Sequence, residues 1–299
     1  MAVDTHRPDW LKVRLPGGAN FVDLKDIMRG RQMHTVCEEA RCPNIGECWD
    51  RRTATFLILG NVCTRACGYC AIAHGLPTEL DLDEPGRVAD SVVAMALRHA
   101  VITSVNRDDQ ADGGAGIYAE TIRQIHRRLP SCTVEVLIPD FKGDPGALRR
   151  VLDANPEILA HNIESPRRVF KIVRGGGHYG RSIELLRRSK EWGYTSFTKS
   201  GIILGMGETM DELLETMDDL RAVDVDVLTL GQYLRPGPDH HPIDRYYTPQ
   251  EFAYLREEGL RRGFEYVESG PLVRSSYRAD VQAQAVRAHR ARFGGVPIA

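Results

Sequence analysis

Six cysteines fall in two triplets, Cys37-x4-Cys42-x5-Cys48 and Cys63-x3-Cys67-x2-Cys70. Each triplet supplies three thiolates, so together they can hold two iron–sulfur clusters with one protein-thiol position vacant on each. An iron that lacks a thiolate can bind something else, and that vacancy is the usual reason for a three-cysteine site. The alternative for the second triplet is a zinc knuckle or three unrelated thiols. Structural zinc takes four protein ligands, and no fourth Cys or His is spaced to complete the set; His74 is the nearest. Gly68 is expected to relieve backbone crowding in this loop, and Tyr69 to form an aromatic wall. Cys132 belongs to neither triplet and reads as a buried, inert thiol at the start of an apolar strand.

The elements that must position these groups alternate strictly. Apolar runs predict strands at Thr55–Leu59, Val101–Val105, Thr133–Ile138, Ile158–Ile163, Ser196–Leu204 and Val225–Leu230. Amphipathic stretches predict helices near Arg87–Arg98, Ile117–Leu129, Gly146–Ala154, Arg181–Trp192, Asp211–Val223 and Pro249–Arg262. Thr248 and Glu251 sit at capping-box spacing before the last of these. The class is therefore α/β: a partial (β/α)6 barrel, with N-terminal and C-terminal extensions covering the barrel mouth. Residues 51–262 form the barrel. Residues 1–50, polar and interrupted by Pro16–Gly17–Gly18, carry the first triplet, and residues 263–299 fold back over the mouth. Reactive groups are expected at the C-terminal ends of the strands, where Cys63–Cys70, Asp108–Gly114 and Asn162–Glu164 all fall.

Composition narrows the partners. The chain has 299 residues and a formal charge of −2, which gives no reason to expect nucleic acid or an anionic membrane surface. Arginine doublets such as Arg149–Arg150 and Arg187–Arg188 read as solvated helix faces, with a docking patch for an acidic protein as the alternative. No apolar run approaches signal or membrane-spanning length, so a cytoplasmic protein with metal-binding rather than disulfide-bonded cysteines is expected. No heptad or exposed apolar element argues for assembly, and a monomer is the default.

At Cys63–Cys70, directly after the first strand, the chain resembles the radical S-adenosylmethionine superfamily. The upstream triplet, His161-Asn-Ile-Glu164, Lys199–Glu208, Thr229–Pro236 and Gly270-Pro-Leu-Val-Arg-Ser-Ser-Tyr277 narrow the resemblance to the lipoyl synthases, over about residues 20–282. The resemblance implies that Cys63, Cys67 and Cys70 hold a [4Fe–4S] cluster that binds S-adenosylmethionine and generates a 5′-deoxyadenosyl radical. It also implies that Cys37, Cys42 and Cys48 hold an auxiliary [4Fe–4S] cluster, with Ser276, ahead of Ser275, as its fourth protein ligand. A serinate is a harder and more readily displaced ligand than a thiolate; the alternative for both serines is a polar turn. The activity implied is insertion of two sulfur atoms at C6 and C8 of an octanoyl chain on a lysine of a lipoyl carrier protein, with the auxiliary cluster as sulfur donor. A paralogue, or another two-cluster radical enzyme with a different acceptor, is the alternative.

Further positions follow from strand ends. Asp108, Asp109, Gly113 and Gly114 are candidates for presenting backbone groups to S-adenosylmethionine, against an ordinary Asp/Gly turn. Asn162 and Glu164 are candidates for its ribose hydroxyls, against helix capping. Lys199 and Arg235 suit anion contacts in the barrel mouth, although Arg235 also suits anchoring of its own loop. His240 and His241 read as substrate-loop residues. Partners implied are an octanoylated carrier (a 2-oxoacid dehydrogenase E2 or a glycine cleavage H protein), a ferredoxin or flavodoxin reductant, and iron–sulfur assembly proteins. The chain departs from the family at Asn106, where aspartate is usual, and at Gly175-Gly176-Gly177, where Pro-Gly-Ala is usual; the extra glycines are expected to loosen that loop.

Overall fold

The computed structural model of the chain describes residues 7–12, 17–30, 34–39, 42–50, 54–77, 79–192 and 197–293. Pro16 and Ser196, both used in the expectations above, lie outside them. The strands are β1 (His34–Thr35), β2 (Thr55–Ile58), β3 (Val62–Cys63), β4 (Ala73–His74), β5 (His99–Ser104), β6 (Thr133–Leu137), β7 (Ile158–Ala160), β8 (Phe197–Leu204), β9 (Val227–Gln232) and β10 (Tyr266–Gly270). Among the described residues eight of these form one sheet in the order β1-β2-β5-β6-β7-β8-β9-β10, while β3 and β4 form a small separate pair. From β2 to β10 the sheet is parallel, and β1 joins as an antiparallel edge. The two ends of the order do not meet, so the barrel is open, as the alternation predicted.

Every residue of β2 and β9 is buried, the pattern of a parallel sheet covered on both faces. The covering helices are Glu84–Ala94, Ala115–Arg128, Pro145–Leu152, Tyr179–Glu191, Met210–Arg221 and Pro249–Arg261. Thr248 and Glu251 form the expected capping box, and Thr209 with Glu212 forms another. Each such cap contributes about 1 kcal/mol by pairing amides that the helix leaves open.

Two expectations change. The barrel has a seventh parallel strand, β10, taken from the segment read as a C-terminal extension. It is an edge strand in which Val267 alone is fully buried, so it lacks the apolar run that marks the inner strands. The fourth strand, expected to reach Ile163, ends at Ala160. Beyond it the chain stays beside β8, with Glu164 N–H donating to Gly201 O at 2.9 Å, and Glu164 itself takes a left-handed backbone at φ 67°.

The terminal segments are laced together above the barrel. Asn44 Nδ2 donates to Leu272 O at 2.6 Å, and Tyr277 Oη donates to Glu47 at 3.1 Å. The N-terminal helix Ala19–Gly30 buries Leu24 and Met28, and Phe21 packs on the fully buried Trp49. At the opposite, lower end of the barrel, Lys199 Nζ pairs with Glu135 at 2.9 Å, and His99 Nε2 lies 3.4 Å from the same carboxylate.

Candidate active site

Cys63 ends β3, and Cys67 and Cys70 follow in a tight loop in which Cys70 N–H donates to Cys67 O at 3.1 Å. All three line a cavity of about 600 Å³ at the C-terminal ends of the strands. Its floor is Leu57, Thr103, Leu137, Ile138, Ile202 and Thr229. Its roof includes Val36 and Pro43 from the segment carrying the first triplet, and Val273, Arg274 and Ser275 from the Arg-Ser-Ser-Tyr segment. One cavity thus touches the second triplet and the immediate neighbours of the first.

The first triplet is built locally. Cys37 lies in the short helix Val36–Glu39, Cys42 N–H donates to Cys37 O at 3.0 Å, and Cys48 N–H donates to Asn44 O at 2.9 Å. The Thr55 N–H hydrogen-bonds Cys37, and the Thr55 hydroxyl donates to Ser276 Oγ at 2.8 Å. Ser276 therefore sits beside the first triplet, while Ser275 lines the cavity. Arg274 is the cation closest in influence to Cys42.

The donor chemistry fits iron–sulfur clusters. All seven cysteines are free thiols. Among the described residues no three His, Cys, Asp or Glu side chains converge tightly enough for a single metal ion. A cubane does not ask for that, because each thiolate binds its own iron. Burial pushes Cys37 and Cys70 up to about 12 and raises Cys42 and Cys67. These thiols are protonated at neutral pH, so iron must displace protons to bind, and loading is coupled to pH.

Residues 57–220 match the model of the radical SAM superfamily, and residues 3–42 match that of the N-terminal domain of lipoyl synthase of the radical SAM family. The lipoyl synthase of Rubrobacter xylanophilus is 59% identical over 94% of this chain and 88% of its own length. That of Symbiobacterium thermophilum is 59% identical over 97% of this chain and 91% of its own. The chain belongs to the lipoyl synthase family. Among solved structures it is similar to methylornithine synthase, with a TM-score of 0.53 and 13% identity over 82% of this chain and 83% of that one. It is also similar to Streptococcus suis SuiB bound to S-adenosylmethionine, with a TM-score of 0.56 and 10% identity over 72% and 50% of the two chains. At such identities these two show the fold alone. As a lipoyl synthase family member the chain is a radical S-adenosylmethionine enzyme that inserts sulfur. Its cofactors are [4Fe–4S] clusters and S-adenosylmethionine, and its substrate is an octanoylated lipoyl carrier. No helix of the described residues is long and apolar enough to cross a membrane.

Among the other positions picked from the sequence, Asn162 and Glu164 line the cavity. Asn162 Oδ1 is buried without a hydrogen-bond partner and lies beside Gly201. Burial raises the Glu164 carboxyl even though Arg174 lies close by to oppose it. Five positions lie outside that cavity: Lys199, Asp108, Asp109, Gly113 and Gly114. Lys199 is not in the mouth. It pairs with Val227, the first residue of β9, and spends its charge on Glu135 at the barrel bottom. Strand alternation shows which face a residue takes but not which end of the strand it occupies.

Arg235 does line the cavity, exposed at its rim, and it also anchors its own loop, with Nε donating to His240 O at 2.9 Å and a second bond to Pro238 O. Asp109 pairs with Arg107 at 2.8 Å, outside the cavity. Gly113 and Gly114 belong to an Asp/Gly turn in which Asp112 accepts from Gly114 N–H at 2.9 Å and Gly116 N–H at 2.8 Å. Asp108 likewise stays outside the main cavity and takes a bidentate pair from Arg65. Asp108 and Gly113 line a second, smaller cavity with Phe141 and Lys142.

His240 and His241 also change role. His240 Nε2 lies 3.0 Å from Cys70 O, and His241 N–H donates to Gly68 O at 2.7 Å, so both hold the cysteine loop. Gly68 itself is uncrowded, with a Cβ there meeting its neighbours at 3.7 Å. The crowded glycine is Gly175, where a Cβ would lie 2.6 Å from Ala66 O. The glycine run is therefore a close approach and not slack.

Three arginines at the site escape sequence reading. Arg65 lies within the Cys63–Cys67 spacer and pairs with Asp108 at 2.7 Å and Asp140 at 2.6 Å. A charge inside a thiolate loop demands a partner, and that was the signal available. Arg174 lines the cavity, bonds Asn162 O and lies close in charge to Cys67. Arg274 was legible only as part of a motif.

Proposed function

We propose that Cys63, Cys67 and Cys70 hold the cluster that binds S-adenosylmethionine, and that Cys37, Cys42, Cys48 and Ser276 hold the second. The cavity between them receives the octanoyl chain of a carrier lysine, whose C6 and C8 take sulfur. The observation that carries this reading is the shared cavity, lined by the second triplet below and by Val36, Pro43, Arg274 and Ser275 above. When bound, the clusters and S-adenosylmethionine supply the electron, the hydrogen-abstracting radical and the sulfur, chemistry that no acid–base group provides for unactivated C–H bonds.

The chain's own residues bind, orient and exclude water. Asn162 offers its free Oδ1, and Glu164 its carboxylate, to ribose hydroxyls. Leu57, Ile138 and Ile202 give the alkyl chain an apolar wall and keep stray hydrogen donors out. The N-terminal segment and the residues after Gly270 act as the cover over this chamber. The finer partners follow from the same reading. The carrier is a 2-oxoacid dehydrogenase E2 or a glycine cleavage H protein, and a ferredoxin or flavodoxin supplies electrons. Assembly proteins rebuild the donor cluster, and the enzyme works as a cytoplasmic monomer.

The test is one turnover of anaerobically reconstituted enzyme on an octanoylated carrier peptide, read by mass spectrometry for two added sulfurs. Reconstituted protein should hold about eight irons, as two cubanes require. Cys67→Ala should stop S-adenosylmethionine cleavage, whereas Cys42→Ala should keep cleavage and lose sulfur insertion. Normal lipoyl product from Cys42→Ala removes the donor assignment.

A further inference from the structure

Three N–H groups converge on the sulfur of Cys63. The Asn106 backbone N–H lies 3.3 Å from Sγ, the Arg65 backbone N–H 3.4 Å, and the Asn106 side-chain Nδ2 3.8 Å. Asn106 is held firmly in place. Its carbonyl accepts from the Thr64 N–H and hydroxyl, each at 3.0 Å, and the Thr64 hydroxyl accepts from the Asp108 N–H at 3.0 Å. The side chain lines the cavity beside the cysteine loop. A thiolate only accepts hydrogen bonds, so the amide must turn its nitrogen, and not its oxygen, toward the sulfur.

The other two thiols of the triplet have different partners. Cys67 is bonded by the Tyr69 side chain and Cys70 by the Ile72 backbone. Cys63 is thus the sulfur served by a side-chain amide. Hydrogen bonds to cluster sulfurs draw off negative charge and favour the reduced state, which carries one more electron. An aspartate at this position would keep the size, lose the donor and add a negative charge.

We infer that Asn106 tunes the cluster held by Cys63, Cys67 and Cys70, raising its reduction potential by donating Nδ2–H to the Cys63 thiolate. This rests on the proposed assignment of that cluster. Asn106 acts through Cys63 and is therefore a positioning residue. The backbone donors from Arg65 and Asn106 remain in any variant, so the side chain's share can be measured by itself.

The experiment is a redox titration, followed by electron paramagnetic resonance, of the full chain with Cys37, Cys42 and Cys48 changed to alanine. Only the cluster of interest then reports. Asn106→Leu should lower the ratio of reduced to oxidised cluster about tenfold at fixed potential, which is about 59 mV for one electron. Asn106→Asp should lower it further. Coincident potentials for wild-type Asn106 and Asn106→Leu overturn the inference. Should Asn106→Leu take up no iron, Asn106→Gln decides. Uptake at the wild-type potential supports donation by an amide, and a lowered potential or no uptake overturns it. If no cubane forms even with Asn106 present, the cluster assignment itself falls, a failure distinct from an unchanged potential.

Discussion

The hydroxyl of Thr55 reaches Ser276 Oγ at 2.8 Å, tying the first parallel strand to the Arg-Ser-Ser-Tyr segment. The same residue's N–H holds Cys37. Thr55 is therefore the bridge between the first cysteine of one triplet and the serine proposed to complete its ligand set. Neither residue is near the other in sequence, and the sheet brings them together.

Thr55→Val keeps the shape and the Cys37 bond but removes the donor to Ser276. A single hydroxyl bond contributes about 1 kcal/mol, so the fold should survive. The freed serine should hold its iron less well. Iron release to a chelator should quicken severalfold for the auxiliary cluster and stay unchanged for the Cys63 cluster. Release from the auxiliary cluster at the wild-type rate would remove Thr55 from any role at the site.

Arg65 fixes the Cys63–Cys70 loop to two other strand ends. Its fork takes Asp108 at 2.7 and 2.9 Å and Asp140 at 2.6 Å, and Asp140 is shared with Arg181 at 3.0 Å. Burial alone would raise the Asp140 carboxyl, but the Arg65 hydrogen bond and charge override it and hold Asp140 at about 2. Arg65→Met leaves a buried carboxylate short of its main partner and should cost about 3–5 kcal/mol. Arg65→Lys keeps the charge but cannot span both acids. It should fold, lose iron from the Cys63 triplet selectively, and make 5′-deoxyadenosine more slowly with dithionite. Wild-type rates in Arg65→Lys would show that charge alone suffices.

His161 makes acid stability measurable. Its ring is fully buried, with Nδ1 2.8 Å from Ile138 O and Nε2 2.9 Å from Ser182 Oγ. Burial, with the Arg174 charge adding to it, pushes the imidazole down to about 4. The unfolded chain takes up this proton near pH 6.5 and the folded chain only near 4, so stability falls as pH drops through that window. At pH 5 the loss is about 2 kcal/mol relative to pH 7. Urea denaturation of the metal-free protein should show it, and His161→Gln should flatten this part of the profile. An unchanged slope in the variant would place the acid sensitivity elsewhere.

The sequence disclosed the parts of this enzyme that are local. Cysteine spacing, strand alternation and the Thr248–Glu251 cap each span a few residues, and apart from the early end of the fourth strand the expected strands and the cap appear where the pattern put them. What needed three dimensions was missed. Arg65 and Asp140 are 75 residues apart, and no periodicity links them. Lys199 was misplaced because a strand pattern has no marked top or bottom. The β10 edge strand was overlooked because a half-exposed strand has little apolar signal. Asp108–Gly114 stays undecided between its two readings, since a turn rich in Asp and Gly looks the same whether it cradles a ligand or leads into the helix that begins at Ala115.

The glycine run offers the last test, because the structure reverses its expected meaning. A Cβ on Gly175 would lie 2.6 Å from Ala66 O and 3.2 Å from Ala66 C, both backbone atoms of the residue before Cys67. The other side of that loop is fixed by Gly68 N–H donating to Val173 O at 2.7 Å, so the loop cannot simply slide away. A Cβ on Gly177 would instead meet the Arg174 side chain at 2.8 Å, and a flexible side chain can move. Gly175→Ala should therefore cost about 1–3 kcal/mol by overpacking, displace Cys67 and weaken iron retention at the second triplet. Gly177→Ala should be milder on both counts. Thermal denaturation and chelator release on the two variants make the comparison; if Gly177→Ala is the more damaging, the cysteine loop is not seated on Gly175.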